Sequence, residues 1–372
     1  MNRRGLAVGA AAVLAVGAIV IVGHTVWHAS TPAPAPKLIA PLCPTPGPFV
    51  AGQTYTLTGC QTVPPGGFSI PSGVTINGGA FLDSNNKQCP YPRCAPGTNR
   101  GRPAFTVRGS GATLENLSIT GANVGGYHDK LAFNAGVELE GSAGTTISNV
   151  HVGHVFGDCL NLEPLRGAAS SIISTVTGLT VTAFSGSACG RNGLTCASVN
   201  GATFTGLTIG SNGQDPIDCE ADQTHGEGAK NLTITGGAWN GLFAVNAGGE
   251  STGPITVTGL VMSVSGSGDM LQVKNRDGSK PAGAITFAGS TLRCTASQYV
   301  GCLQLDGATV VMSKDTMQIG YPGARRTAVY HATDGTTLTF TGTTVAGDFK
   351  AGTHDATSTV TNPIGIELGG NS

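Results

Sequence analysis

Residues Gly190–Ile209 read GRNGLTCASVNGATFTGLTI, and the end of this stretch sets the architecture. From Phe204, FTGLTI has the form apolar, any residue, Asn or Gly, two further positions, apolar. The form recurs as INGGAF at Ile76, LENLSI at Leu114, ISNVHV at Ile147 and VTGLTV at Val176. Further on come ITGGAW at Ile234, VTGLVM at Val257, FAGSTL at Phe287, a weaker MSKDTM at Met312 and FTGTTV at Phe340. Its third residue is therefore Gly78, Asn116, Asn149, Gly178, Gly206, Gly236, Gly259, Gly289, Lys314 and Gly342, at spacings from 23 (Gly236 to Gly259) to 38 residues (Gly78 to Asn116).

A repeat of this length is one supersecondary unit that stacks on its neighbours to bury its apolar residues. The β-branched runs are too short and too interrupted by glycine for helices. Asn or Gly at one fixed place implies a backbone position with φ > 0, which those residues tolerate best. Each unit is thus a strand, a sharp bend, a second strand and a variable loop, rising by one strand spacing of about 4.8 Å per coil. A β-sandwich with turns every 8–12 residues does not explain one fixed Asn/Gly position.

The result resembles the right-handed parallel β-helix of the pectin-lyase-like superfamily: GRNGLTCASVNGATFTGLTI is similar to repeat segments of bacterial β-helix proteins, and DPIDCE at Asp215 resembles their recurring G-I-D-I-E element. The expected fold is all-β, a solenoid of about ten coils over 49–350, with 351–372 as a C-terminal tail or cap.

Between the bends a second strand recurs: FTVR at Phe105, VELE at Val137, LNLE at Leu160, LTCA at Leu194, IDCE at Ile217, LFAV at Leu242, LQVK at Leu271 and LQLD at Leu303. With a period of two, first and third residues face inward and second and fourth outward. Cys196 and Cys219 then stack inside, and the outer columns gather Glu138, Glu140, Asn161, Glu163, Asp218, Glu220, Phe243 and Lys274. Only 11% of the chain is charged, yet Gly213–Gly228, GQDPIDCEADQTHGEG, holds five acids and His225. Asp158 and Arg191 lie just before their strands.

Two carboxyls flanking a bond are what acid–base cleavage of a glycoside requires. Asp218 and Glu220, two apart on one strand, are about 6.5–6.8 Å apart at Cα, and Glu163 and Glu220, two coils apart, about 9.5 Å. Both lie near the roughly 6.5–9.5 Å window of an inverting pair, whereas Glu140 and Glu163, one coil apart, approach the retaining separation of about 5 Å. The catalytic candidates are Asp218, Glu220, Glu163, Asp158, His225 and Arg191. The substrate-binding candidates are Glu138, Glu140, Asn161, Phe243 as a sugar-stacking ring, and Lys274. Solubilising surface acids are the plain reading of Glu138 and Glu140, and packing under a loop that of Phe243. Ca²⁺ held by Glu140, Glu163 and Glu220 is a further alternative; no other cofactor or metal is indicated. Polygalacturonases of the superfamily carry N-T-D, G-D-D, H-G and R-I-K on successive coils. This chain matches in part, with Gly157-Asp158-Cys159, His225-Gly226 and Gln272-Val273-Lys274, and has no corresponding N-T-D.

A net charge of −1 without basic clusters excludes nucleic acid as a natural partner. Residues 1–4 carry Arg3 and Arg4, and 5–27 form an apolar run, expected to be a transmembrane signal anchor with a cytoplasmic N-terminus. The Pro-rich 28–48 is a spacer. A cleaved signal peptide and secretion are the alternative. All ten cysteines follow the apolar run, as suits disulfides in an oxidising compartment, with Cys43–Cys60, Cys89–Cys94 and Cys294–Cys302 as pairings by proximity. The expected protein is a membrane-anchored monomer that displays a β-helix outside the cell, where it binds and can cleave a polysaccharide or cell-surface glycan. A non-catalytic structural or adhesive β-helix is the second reading.

Overall fold

A computed structural model describes residues 43–361 apart from 85–102, 125, 129–130, 168–170, 221–227, 248–251, 267–268, 276–282, 297–301, 321–326 and 348. The anchor expected at 5–27, most of the spacer, Cys89, Cys94 and His225 lie outside those residues. Among the described residues no helix is long and apolar enough to cross a membrane.

Strands account for the described fold, and all pairings within the two large sheets are parallel. One sheet has eleven strands, from Phe68–Ile70 through Val137–Glu140, Leu160–Glu163, Leu194–Cys196 and Ile217–Glu220 to Phe349–His354. Along it a single inward column runs in register through Phe68, Phe105, Val137, Leu160, Leu194, Ile217, Phe243, Leu271 and Leu303. The other large sheet carries the strands on either side of each bend, such as Thr203–Thr205 and Thr208–Ile209. Both sheets continue past residue 350, in Phe349–His354 and Thr359–Thr361.

Every bend position read from the repeat has positive φ, from 51° at Asn149 to 85° at Gly78, and Lys314 adopts 55°. At Gly206 an added Cβ would meet only the Ala183 nitrogen at 4.0 Å, so backbone angle rather than crowding selects glycine there. Where asparagine stands at or beside the bend, the amides stack: Asn149 donates to Asn116 at 2.9 Å and Asn116 to Asn77 at 3.1 Å.

The stack encloses one apolar core in which Phe81, Phe105, Phe184, Phe204, Phe243, Phe287 and Phe340 are fully buried. Trp239 is core as well. Cys43–Cys60 and Cys294–Cys302 are disulfides as expected, and Cys196 and Cys219 are free and buried. A third bridge, Cys159–Cys189, was not legible by proximity because 30 residues separate its ends.

One register expectation fails. Phe243, not Leu242, pairs with Ile217, so Phe243 points into the core and is no sugar platform. The reason is local: Leu242, Phe243, Ala244 and Val245 are apolar at both parities, so alternation carries no register there.

Candidate functional site

The outer columns of the eleven-strand sheet bring together most of the acids singled out from sequence, but as a buried network. Glu138, Glu140, Asp158, Asn161 and Asp218 are all buried, while Glu163 and Glu220 are partly exposed. Alternation placed these side chains outward without showing whether anything covers them; in the structure they pair with arginines and asparagines, and Phe133 lies against Arg191.

Arg191 sits at the centre. It leaves the turn before Leu194–Cys196 and its Nη1 donates to Asp158 Oδ2 at 3.2 Å, one coil back. Its Nη2 donates to Glu220 Oε2 at 3.4 Å, one coil forward. The guanidinium carbon lies 5.7 Å from the Phe133 ring centroid, a cation–π distance. The Cys159–Cys189 bridge ties together the two segments that carry Asp158 and Arg191.

Asn192 is a second hub, fully buried and not foreseen from sequence. Its backbone N–H donates to Asp158 Oδ1 at 2.9 Å, and its Nδ2 donates to Thr195 Oγ1 at 3.0 Å and, at a long 3.5 Å, to Asp218 Oδ2. Its Oδ1 accepts from the Asp215 backbone N–H at 3.1 Å. The one sequence signal for it is the Gly190-Arg191-Asn192-Gly193 turn before the strand.

Electrostatics separate the acids. Burial raises the Asp158 carboxyl, opposed chiefly by Arg191, and Asp158 in turn leads the groups that raise Arg191 above its ordinary range. Burial, with Glu220 adding repulsion, pushes Asp218 up to about 7 against the pull of Arg191. Burial also pushes Glu163 up to about 7 while Arg166 and Arg191 hold it down. Asp215 is raised by burial and lowered in part by Lys274. Two carboxyls raised towards neutrality thus share this face with Glu220, which is partly exposed and paired with Arg191.

Glu140 belongs to a separate pair: Arg108 Nε and Nη2 donate to its two oxygens at 2.6 and 3.2 Å. Asn161 Nδ2 contacts Glu138 Oε2 at 3.5 Å. These two glutamates are structural partners here and not solvated surface charges. Lys274 is exposed on a strand two coils beyond Glu220. Among the described residues no three His, Cys, Asp or Glu side chains gather to hold a metal ion, and Arg191 already supplies the cation between Asp158 and Glu220.

No family model matches the sequence, and no curated protein sequence does. Solved structures match over most of the chain. A polygalacturonase from Erwinia carotovora ssp. carotovora superposes with a TM-score of 0.53 at 12% identity, covering 88% of this chain and 99% of that one. A DFA-IIIase from Arthrobacter chlorophenolicus A6, solved without its lid, gives 0.53 at 13% identity and covers 82% of each chain. At such identities the likeness is one of fold: the chain is a right-handed parallel β-helix, as those two proteins are.

Proposed function

We propose that the protein is a glycan-active β-helix enzyme, a hydrolase in its simplest form, which takes an extended polysaccharide across the eleven-strand sheet at Arg191. The observation that carries this reading is the pairing of unlike carboxyls on one face. Asp218 and Glu163, raised to about 7 mainly by burial, keep a proton available, and the partly exposed Glu220 is paired with Arg191 at 3.4 Å. A general acid must hold its proton at working pH and its partner must not.

In this reading Asp218 donates its proton to the glycosidic oxygen as the bond to the sugar breaks. Glu220 takes a proton from the attacking water, or stabilises the positive charge that develops on the ring. Glu163 is the second candidate for the acid. Arg191, Asp158 and Asn192 hold the carboxyls in place. The β-helix folds of a polygalacturonase and a DFA-IIIase support a carbohydrate partner. The apolar run at 5–27 supports display from a membrane, which a new N-terminus near Ala35 in the mature protein would refute.

The test is turnover on neutral and uronate-containing polysaccharides by wild type, Asp218→Asn and Glu163→Gln. Loss of at least a hundredfold in Asp218→Asn with retained folding is the expected result. No turnover of any glycan by the wild type refutes the reading. It would leave the second one, a non-catalytic β-helix spacer, which the complete burial of Asp158 and the Arg108–Glu140 pair favour.

A further inference from the structure

The eleven-strand sheet holds a second polar cluster that the acids around Arg191 do not use. Two residues before its strand, Asp269 occupies the place that Asp158, Asn192 and Asp215 occupy before theirs. Like Asn192, it bonds the side chain three residues on, with the direction reversed: Gln272 Nε2 donates to Asp269 Oδ2 at 3.3 Å, whereas Asn192 donates to Thr195. The same Nε2 donates to Gln304 Oε1 at 2.6 Å on the next coil. His331 follows Gln304 in register, and its Nδ1 shares a hydrogen bond of 2.7 Å with Thr353 Oγ1. Buried Ala244 stands between Asp218 and Gln272 in the column, so the two clusters are separate.

We propose that Asp269, Gln272, Gln304 and His331 form a second binding strip, which takes the hydroxyl groups of a neutral sugar chain. The strip rests on the reading of the protein as glycan-active and extends it to the next part of the face, which begins two strand spacings beyond Asp218. Its strongest mark is Asp269 Oδ1, buried and without a hydrogen-bond partner among the described residues. A buried acceptor left unpaired costs free energy, which a ligand hydroxyl recovers on binding. Gln272 Oε1 and Gln304 Nε2 likewise have no protein partner among the described residues, which leaves an acceptor and a donor one strand apart on the partly exposed face. Vicinal hydroxyls both donate and accept, so they complement such an alternation without a counter-charge. From Gln272 to Thr353 the column spans three strand spacings, about 14 Å, which suits several sugar units rather than one. Burial also raises the Asp269 carboxyl above its ordinary range, against the pull of Gln272, Lys274 and His331.

The experiment follows the side-chain amide signals of Gln272 and Gln304 by NMR during titration with cellohexaose, laminarihexaose, xylohexaose and polygalacturonate. Each is run on the wild type, Gln304→Ala, His331→Ala and Asp218→Asn. At least one neutral hexasaccharide is expected to shift both amides. Gln304→Ala and His331→Ala should each weaken that titration at least tenfold with an unchanged melting temperature, while Asp218→Asn leaves it intact. No shift with any neutral glycan, a shift with polygalacturonate alone, or an undiminished affinity in both strip variants overturns the strip. These outcomes are independent of the turnover test, in which only Asp218 and Glu163 are altered.

Discussion

Burial, more than any neighbour, sets the chemistry of Asp218. Its carboxyl moves from an ordinary 3.8 to about 7, and that of the partly exposed Glu163 from 4.5 to about 7, desolvation being the largest cause for both. The sign of the consequence follows from linkage. Between the ordinary carboxylate range and about 7 the unfolded chain releases protons that the folded protein keeps, so stability falls as pH rises through that window and levels off above it. Each group contributes up to about 1.4 kcal/mol per pH unit there. Thermal unfolding from pH 4 to pH 8 should show the melting temperature falling towards neutrality, with a shallower fall in Asp218→Asn. An identical slope in that variant would show that Asp218 is not the group concerned. The sequence placed Asp218 and Glu220 on the outward side of one strand; Ile217 and Cys219 do join the core, but Asp218 is buried too and only Glu220 is partly exposed. The sequence could not show that Arg191 and Asn192 reach across coils to them, since a pairing 26 to 34 residues long leaves no local pattern.

At the scale of one coil, the bend was the most legible element, because only backbone angle selects its residue. Ten bends carry seven glycines, two asparagines and Lys314, all with positive φ. Strand register was legible only where apolar and polar residues alternate, as in IDCE, and was lost in LFAV, where they do not. The bend itself gives a graded prediction. Gly206 has φ 67° and open space around its Cβ direction. Gly206→Asn should therefore be nearly neutral, while Gly206→Val should destabilise by roughly 1–2 kcal/mol through backbone strain alone. At Lys314, φ 55°, replacement by glycine should relieve the same strain and raise the melting temperature slightly. Urea unfolding of the three variants checks the order. A Gly206→Val protein as stable as Gly206→Asn would mean that the bend does not set residue choice.

Across the whole molecule the stack is close to one-dimensional, so a perturbation is felt chiefly by the coils beside it. Two disulfides among the described residues turn this into a contrast. Cys159–Cys189 spans 30 residues and Cys294–Cys302 spans 8, so chain entropy alone assigns them roughly 3.5 and 2.5 kcal/mol. Their neighbours differ more than their energies do. Asp158 adjoins Cys159, and Arg191 and Asn192 follow Cys189 by two and three residues, whereas Cys294 and Cys302 lie several coils beyond Asp218. Cys159→Ala/Cys189→Ala should therefore loosen the Arg191 network as well as destabilise the chain. Cys294→Ala/Cys302→Ala should only destabilise. The discriminating measurement is the pH dependence of the melting temperature: the first pair should shift the midpoint set by Asp218 near 7, and the second should lower the whole curve without moving it. Equal behaviour of the two variants would mean that the Cys159–Cys189 bridge stabilises the stack without holding Arg191 against Asp158.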